Sequence, residues 1–282
     1  MKTVKIIGVP EHFNLPWRMA IAEEAFRERG IDLQWTDIPE GTGKMCKMLQ
    51  NGETDLAIIL TEGLVKSITE GNPSKIIQEY IASPLHWGVH VAMKSEYNTI
   101  SDLEGTKAAI SRFGSGSHLM AYVHAERLGW DTKLLQFQII NNLGGAVEAL
   151  TTGQADYFMW EHFTTKPLVD NGTFRRLIDC PTPWPCFVIA ATDNFIMQNK
   201  SLLKHILEII NTYTAEFKSI PSIDRTLANS YGQQLTDIRE WLSMTQWSQS
   251  QIHTETLKKV QATLLNLDLI NHVEPIHKII LS

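Results

Sequence analysis

A stretch rich in glycine and serine, Ser111-Arg112-Phe113-Gly114-Ser115-Gly116-Ser117, is the part of the chain best suited to binding an anion. The apolar residues before it predict a strand, and residues 119–128 after it predict a helix that stops at Gly129. Backbone N–H groups at such a strand-to-helix turn point outward at the positive end of the helix, where an anion binds. The hydroxyls of Ser115 and Ser117 either cap the helix or donate to a ligand. An ordinary capped turn is the alternative.

Side chains able to bind or stack on a ligand lie near the ends of the apolar segments. Arg112, beside the turn, either clamps an anion or forms a surface ion pair. Trp17, Trp87, Trp160 and Trp184 fall at predicted strand ends or in connecting segments. Each of these rings packs in the core or lines a site, and four near one cleft would suit a ligand with a flat or apolar part. Trp160 is the first of them expected in the site.

The histidines and acids contain no metal-binding motif. His86 and His90 are separated by an extended segment that places them about 13 Å apart, and neither a His-Glu-x-x-His pattern nor a Cys-x-x-Cys pair occurs. No metal and no cofactor is therefore expected. Glu161 and His162 would act together as acid and base only if the strand bends between them, since neighbours on a strand point to opposite faces. His12 is a further acid–base candidate.

The apolar segments that must position these residues follow a β-α-β-α-β order. Strands are predicted at 4–9 and 31–37 with a helix over 17–29 between them, and a short helix then leads to a strand at 56–60. The last strand is a continuous apolar run, which is typical of a strand covered on both faces. This order predicts a parallel sheet with helices on both sides.

The same pattern occurs twice along the chain. A short helix lies between two glycines, and a Gly-x-x-Asp sequence then enters a strand. The landmarks of the second copy lie 101 positions after those of the first: Gly43, Gly52 and Asp55 correspond to Gly144, Gly153 and Asp156. Several coincidences in the same order predict two α/β lobes built on one plan.

Two extended crossings between the lobes predict a hinge. Residues 81–94 leave the first lobe, and the proline-rich segment Cys180-Pro181-Thr182-Pro183-Trp184-Pro185-Cys186 leads into a returning strand. The expected division is lobe 1 over 1–90, lobe 2 over 91–186 and lobe 1 again over 187–282. Helices predicted at 201–217, 222–243 and 253–267 would pack on lobe 1. The two hinge cysteines either pair or, as we expect, stay reduced.

Composition and charge exclude several classes of function. The net charge is −6 with no basic block, which argues against nucleic acid as the main partner. No apolar run approaches the roughly 18 residues of a membrane helix, so no membrane insertion is expected. The first predicted strand begins at Val4 and leaves no room for a signal peptide. The expected compartment is the cytoplasm for the sequence as written, or the periplasm if a leader has been removed.

The layout resembles the type II periplasmic binding proteins, within them the branch that binds aliphatic sulfonates, taurine, nitrate and thiamine-pyrimidine precursors. Residues 153–161, Gly-Gln-Ala-Asp-Tyr-Phe-Met-Trp-Glu, are similar to the Gly-x-x-Asp-Ala-x-x-x-Trp-Glu-Pro signature of that branch, with His162 in place of the proline. Residues 52–57 fit the first-lobe signature. The resemblance covers most of residues 1–200. It implies an α/β fold of two lobes, each a mixed, mainly parallel sheet flanked by helices.

The resemblance also implies that the ligand lies between the lobes, at the carboxyl ends of the strands, as in open α/β sheets generally. Segments at those ends supply the expected ligand-binding residues. These are His12, Phe13, Trp17, Thr42, Gly43, Thr61, Glu62, Trp87, Arg112, Ser115, Gly116, Ser117, Trp160, Glu161 and His162.

The leading hypothesis is a solute-binding protein of the kind that serves ABC transporters. It would close by hinge motion on a small anionic or zwitterionic ligand such as a sulfonate, nitrate, taurine or a pyrimidine-like molecule, with an ABC permease as partner if it is exported. One alternative is a cytoplasmic enzyme of the same fold that uses Glu161 and His162, or His12, as acid and base. Another is a ligand sensor that signals to a partner protein.

Overall fold

The computed structural model describes residues 1–281 as two five-stranded sheets with helices packed on them. In chain order the strands are β1 (Lys2–Gly8), β2 (Ile31–Asp37), β3 (Leu56–Leu60), β4 (Ser74–Ile81), β5 (His86–Ala92), β6 (Lys107–Ile110), β7 (Gln136–Ile139), β8 (Tyr157–Glu161), β9 (Phe174–Pro181) and β10 (Phe187–Thr192). The α-helices are α1 (Leu15–Ala22), α2 (Thr42–Gln50), α3 (Thr61–Thr69), α4 (Gly116–Leu128), α5 (Leu143–Thr151), α6 (His162–Asp170), α7 (Asp193–Gln198), α8 (Lys200–Glu216), α9 (Ile223–Tyr231), α10 (Leu235–Met244), α11 (Thr254–Asn266) and α12 (Ile276–Ile279).

The two sheets have equivalent topologies. The strand order is β2-β1-β3-β10-β4 in the first and β7-β6-β8-β5-β9 in the second. In each sheet four strands run in one direction, and the strand next to the far edge, β10 in the first sheet and β5 in the second, runs antiparallel to its neighbours. All five residues of β3 are buried, as its continuous apolar run predicts. The expected fold class, two mixed and mainly parallel sheets flanked by helices, is confirmed.

The aspartate of the Gly-x-x-Asp repeat has the same structural role in both lobes. The carboxylate of Asp55 accepts a hydrogen bond of 2.8 Å from the backbone N–H of Lys5, and that of Asp156 accepts one of 2.8 Å from Lys107. Each aspartate thus joins the start of its strand to the neighbouring parallel strand. The helix, strand and helix around the first copy, α2-β3-α3, begin and end 101 positions before their counterparts α5-β8-α6.

The chain crosses between the sheets at residues 82–85 and again at 182–186. The two crossings are hydrogen-bonded to each other. The N–H of Thr182 donates to the carbonyl of Leu85 at 2.9 Å, and the Thr182 hydroxyl accepts from the Leu85 N–H at 3.0 Å. The first crossing comes before the boundary expected at residue 90, because all of β5 pairs with β8 and β9 in the second sheet.

Helices α8, α11 and α12 pack on the first lobe, against α1, α3 and β4 respectively, whereas α10 contacts α6 of the second lobe. Two predicted helices differ from the observed ones. The helix expected over 17–29 ends at Ala22, since Glu24 adopts a left-handed φ of 60°. The helix expected over 222–243 is two helices, because Gly232 interrupts it with a φ of 62°.

All three cysteines are buried and reduced, so Cys180 and Cys186 do not pair across the proline-rich turn. Among residues 1–281, no helix combines the length and apolarity needed to cross a bilayer.

Candidate functional site

A cavity lies between the two lobes, at the carboxyl ends of the central strands. It has about 420 Å³ of empty space, its mouth included. Both lobes and the hinge line it, through Val9, Glu11, Glu40, Gly41, Thr42, Leu60, Leu85, Trp87, Ser111, Ser115, Gly116, Ser117, Trp160, Glu161 and Phe187. Seven of these belong to the expected set: Thr42, Trp87, Ser115, Gly116, Ser117, Trp160 and Glu161.

The glycine–serine turn forms the cavity wall at the N-terminus of α4. The Ser115 hydroxyl caps the helix by accepting the N–H of His118 at 3.3 Å, and the Ser117 hydroxyl accepts the N–H of Ser111 at 3.0 Å. The two hydroxyls are 3.1 Å apart. Within residues 1–281, the backbone N–H groups of Gly116 and Ser117 donate to no protein acceptor. They are two donors available at the positive end of a helix.

Gly116 permits close contact between the lobes at this wall. A Cβ added to it would lie 2.5 Å from Cδ1 of Leu60, at the end of β3, and 2.8 Å from Cη2 of Trp87, on β5. Both distances are shorter than those of real Cβ contacts, so a side chain here would have to displace Leu60 or Trp87.

A second helix N-terminus reaches the cavity from the first lobe, through Gly41 and Thr42 of α2. Gly43 and Arg112 lie beside the cavity rather than in its lining. The Arg112 guanidinium donates to the carbonyl of Glu40 at 2.8 Å, and its Cδ would be 3.2 Å from a Cβ on Gly43. Arg112 therefore joins the second lobe to the first and does not clamp an anion inside the cavity.

Two of the four tryptophans line the cavity. Trp87 is buried, and its indole N–H has no partner. Trp160 meets it edge-on, with ring centroids 6.4 Å apart, and stacks on Phe158 at 5.4 Å. Trp17 lies in the core of the first lobe, stacked on Phe26, because its helix begins before it and turns the ring inward.

Three glutamates line the cavity, Glu11 and Glu40 from the first lobe and Glu161 from the second. Glu161 is the last residue of β8, and its Oε2 accepts the N–H and hydroxyl of Thr164 at 2.6 and 2.8 Å. Burial raises the pKa of Glu161. Burial, helped by the charge of Glu161, raises the pKa of Glu11 to about 8. The expected set omits Glu11, although a carboxyl in the loop that follows the first strand was a signal for it.

His12 and Phe13 are packed behind the cavity. The His12 ring stacks on Trp241, with centroids 4.2 Å apart, and neither of its ring nitrogens has a partner. Burial lowers the pKa of His12 to about 3, so the ring is neutral at physiological pH. Phe13 packs on Phe187 and on the same tryptophan.

Thr61, Glu62 and His162 lie just beyond the cavity, inside the helices that follow the strands. The Thr61 hydroxyl donates to the carbonyl of Pro185 at 2.6 Å, and Glu62 accepts the indole N–H of Trp184 at 2.8 Å. His162 lies 2.9 Å from the carboxylate of Asp179. In the repeat Leu60 corresponds to Glu161, the strand-end position that faces the cavity, whereas these three residues come one or two positions later.

The remaining lining residues were not among the expected ones. They are Val9, Glu40, Gly41, Leu60, Leu85, Ser111 and Phe187. Most lie at strand ends or in the loops that follow, so the strand-end rule indicated their segments, but not which side of the chain faces inward. Nowhere in residues 1–281 do three or more His, Cys, Asp or Glu side chains converge as metal ligands.

Comparison with known proteins finds similar folds among periplasmic binding proteins. A family model described as Ca3427-like PBP matches residues 87–179. None of the curated protein sequences matches the chain. The solved CA3427 gene product of Candida albicans, said to have the generic periplasmic binding protein fold, is 24% identical, with a TM-score of 0.89 over 98% of this chain and 93% of its own.

Two alkanesulfonate-binding proteins are similar in structure. SsuA from Xanthomonas axonopodis pv. citri, bound to MOPS, is 15% identical, with a TM-score of 0.81 over 96% of this chain and 94% of its own. SsuA from Escherichia coli is 16% identical, with a TM-score of 0.72 over 100% and 92%. At these identities the likeness is one of fold. This chain therefore has the type II periplasmic binding protein fold, and residues 87–179 match the Ca3427-like form of it.

Proposed function

We propose that this protein binds a small anionic or zwitterionic organic molecule in the cavity between its lobes. The observation that carries the proposal is the convergence of two helix N-termini, those of α2 and α4, on one enclosed cavity. The free N–H groups of Gly116 and Ser117 supply hydrogen-bond donors without an arginine. Hydrogen bonds to a charged acceptor contribute roughly 1.5–3 kcal/mol each, so a few suffice for a small ligand.

Aromatic surface adds to these donors. Trp160 and Trp87 offer ring faces and edges for a flat or apolar part of the ligand.

Delivery of the ligand to an ABC-type importer is the transport form of this proposal. It is supported by the likeness in fold to the sulfonate-binding proteins.

The positions of His12 and His162 give less support to an enzymatic function. His12 is neutral and stacked behind the cavity wall, and His162 is held by Asp179 outside it. Neither histidine lines the cavity as a proton carrier would.

Thermal shift and calorimetric titration with a panel of small anions test the proposal. The panel contains nitrate, acetate, 2-hydroxyethanesulfonate, 2-aminoethanesulfonate and MOPS. A ligand at about 100 times its Kd stabilises the folded state by about 2.7 kcal/mol, which raises the Tm by several degrees. We expect Trp160→Ala to weaken binding of a stabilising compound about tenfold or more.

The matched control is Trp130→Ala, which removes a ring that packs edge-on against His124 rather than lining the cavity. This variant should bind as the wild type does. If no compound in the panel raises the Tm of a folded sample at tens of millimolar, the proposal is wrong.

A further inference from the structure

Three glutamates line the cavity, and the carboxyls of two of them, Glu11 and Glu161, have no cationic partner; the third, Glu40, lies beside Arg112, which donates to its carbonyl. Among the hydrogen bonds and ion pairs of residues 1–281, none involves the Glu11 carboxyl. Glu161 is 3% exposed, and the two bonds it accepts from Thr164 both go to Oε2. No side chain donates to its Oε1. Glu161 is buried and Glu11 is half-buried. An acid withdrawn from water without a partner is costly when ionised, so a proton or a cation would stabilise both groups.

The surrounding groups do not supply that cation. No lysine or arginine lines the cavity. The titratable neighbours of Glu11 are acidic or neutral: Glu161, His12, the thiol of Cys186 and the phenol of Tyr231. Burial raises the pKa of the Cys186 thiol well above its ordinary value and that of the Tyr231 phenol to about 12, so both stay neutral.

The remaining charges near this cluster are already engaged. Arg18, which lies near Tyr231, is paired with Asp37. Glu62, near Cys186, accepts the Trp184 N–H and lies outside the cavity lining. A cation at Glu11 and Glu161 must therefore come from the ligand.

We propose that the ligand carries a basic nitrogen, an ammonium or amidinium group, that binds between Glu11 and Glu161, and that binding releases the proton held on Glu11. The inference rests on the proposed function, since it names the second functional group of the same ligand. An ammonium group arrives already protonated. The O–H bond of Glu11 breaks, its proton passes to the buffer, and the resulting carboxylate pairs with the ammonium; no covalent bond forms between ligand and protein.

Two ligand pairs that differ only at this group test the inference. They are 2-aminoethanesulfonate with 2-hydroxyethanesulfonate, and 3-aminopropanoate with 3-hydroxypropanoate. Calorimetry at pH 7 in phosphate and in Tris gives the number of protons released, because the two buffers differ in ionisation enthalpy. We expect the amine of at least one pair to bind tenfold or more tightly than its hydroxyl partner and to release up to one proton per ligand. At pH 9, where Glu11 is already ionised, the release should shrink toward zero for 3-aminopropanoate; 2-aminoethanesulfonate, whose own ammonium is partly deprotonated at that pH, should take up protons instead.

Glu11→Gln should abolish both the preference for the amine and the proton release, while the hydroxyl compound still binds. Glu62→Gln is the matched control, because it removes a buried acid that does not line the cavity. It should keep the preference and the release. Infrared spectra of the free protein at pH 7 should show a protonated-carboxyl band that decreases in Glu11→Gln.

The outcomes separate this inference from the proposed function. Equal binding of the amine and hydroxyl compounds, or amine binding with no proton release at pH 7, overturns the inference while a binding function stands. Failure of both amines to bind also overturns it, whether or not the other anions bind. Failure of every compound overturns the proposed function as well.

Discussion

Glu62 is a fully buried acid at the hinge, and it links pH to stability. Its Oε2 accepts the N–H of Trp184 at 2.8 Å, and its Oε1 has no partner. Burial raises the pKa of Glu62 to about 7, while hydrogen bonds to the carboxylate oppose the rise. The unfolded chain loses this proton near the ordinary value of 4.5. Between pH 4.5 and 7 the folded state therefore binds more protons than the unfolded state, so the free energy of unfolding falls as pH rises.

Glu62→Gln should reduce this pH dependence. Glutamine keeps an acceptor for Trp184 and removes the ionisation, so the variant gains stability relative to the wild type between pH 5 and 8, by on the order of 1–3 kcal/mol. Urea unfolding at pH 5, 6, 7 and 8 measures the effect. The slope should shrink rather than vanish, because Glu11 contributes in the same direction up to about pH 8.

Trp184→Phe is the companion variant. It removes the donor but keeps most of the ring, leaving the buried carboxyl without its bond, and should lose about 1–3 kcal/mol at every pH. For Glu62→Gln, the contrary outcome is a free energy of unfolding that varies with pH as it does in the wild type. That result would show that Glu62 does not titrate between pH 5 and 8.

At the scale of elements, the sequence predicts strands and their order better than helix ends. The apolar run Leu56–Leu60 and the Gly-x-x-Asp repeat identify β3, β8 and the two-lobed plan, because strand burial and the Asp55 and Asp156 bonds are local. Helix α1 stops early at a left-handed Glu24, which no residue type there announces.

The site was harder to predict than the fold for a related reason. Whether a residue near a strand end faces the cavity depends on its exact position. Glu161, the last residue of β8, lies inside, whereas Glu62, the second residue of α3, lies outside. Glu11 and Phe187 come together only through tertiary packing, over a separation of 176 positions. The Arg112 contact with Glu40 likewise depends on how the lobes close.

The α9–α10 pair connects the C-terminal helices to the second lobe. Lys166 of α6 lies 3.5 Å from Asp237 of α10. Between the two helices, Gln233 donates to the carbonyl of Phe163 at 3.2 Å and Gln234 donates to Asp170 at 3.3 Å. These contacts stabilise the closed arrangement of the lobes beyond what the hinge provides.

Asp237→Asn combined with Gln234→Ala should weaken ligand binding two- to tenfold. Partly exposed ion pairs and hydrogen bonds contribute about 0.5–1.5 kcal/mol in total, and loss of closed-state contacts lowers the binding-competent population. Calorimetry with a ligand found in the panel measures the change in Kd.

The matched control for this pair is Asp224→Asn, which breaks the 2.8 Å contact with Arg239 inside the α9–α10 pair. It removes an ion pair of the same helices without touching the second lobe, so Kd should stay unchanged. If the two variants change Kd equally, the contacts between the α9–α10 pair and the second lobe do not determine ligand affinity.

Closure of the whole molecule depends on how closely the lobes approach at the cavity wall. Leu60 of the first lobe and Trp87 of the second both contact the position of Gly116, so a methyl group there would displace one of them. Arg112 joins the lobes on the adjacent side of the mouth. The stability of the closed state therefore depends on the side-chain volume at Gly116. In the open state of a hinged protein the lobes are apart, so this volume would not affect it.

Gly116→Ala should act as a wedge between the lobes. Overpacking of this kind costs about 1–3 kcal/mol, and separation of the lobes relieves the part of the clash that involves Leu60. We expect a larger radius of gyration in small-angle X-ray scattering of the free protein and at least tenfold weaker ligand binding. Gly144→Ala is the control, since its methyl would meet only the Asn142 side chain, at 3.3 Å, on the first turn of α5. That variant should scatter and bind as the wild type does. If Gly116→Ala loses stability but keeps the radius and the affinity of the wild type, the clash is absorbed within the second lobe and Gly116 does not govern closure.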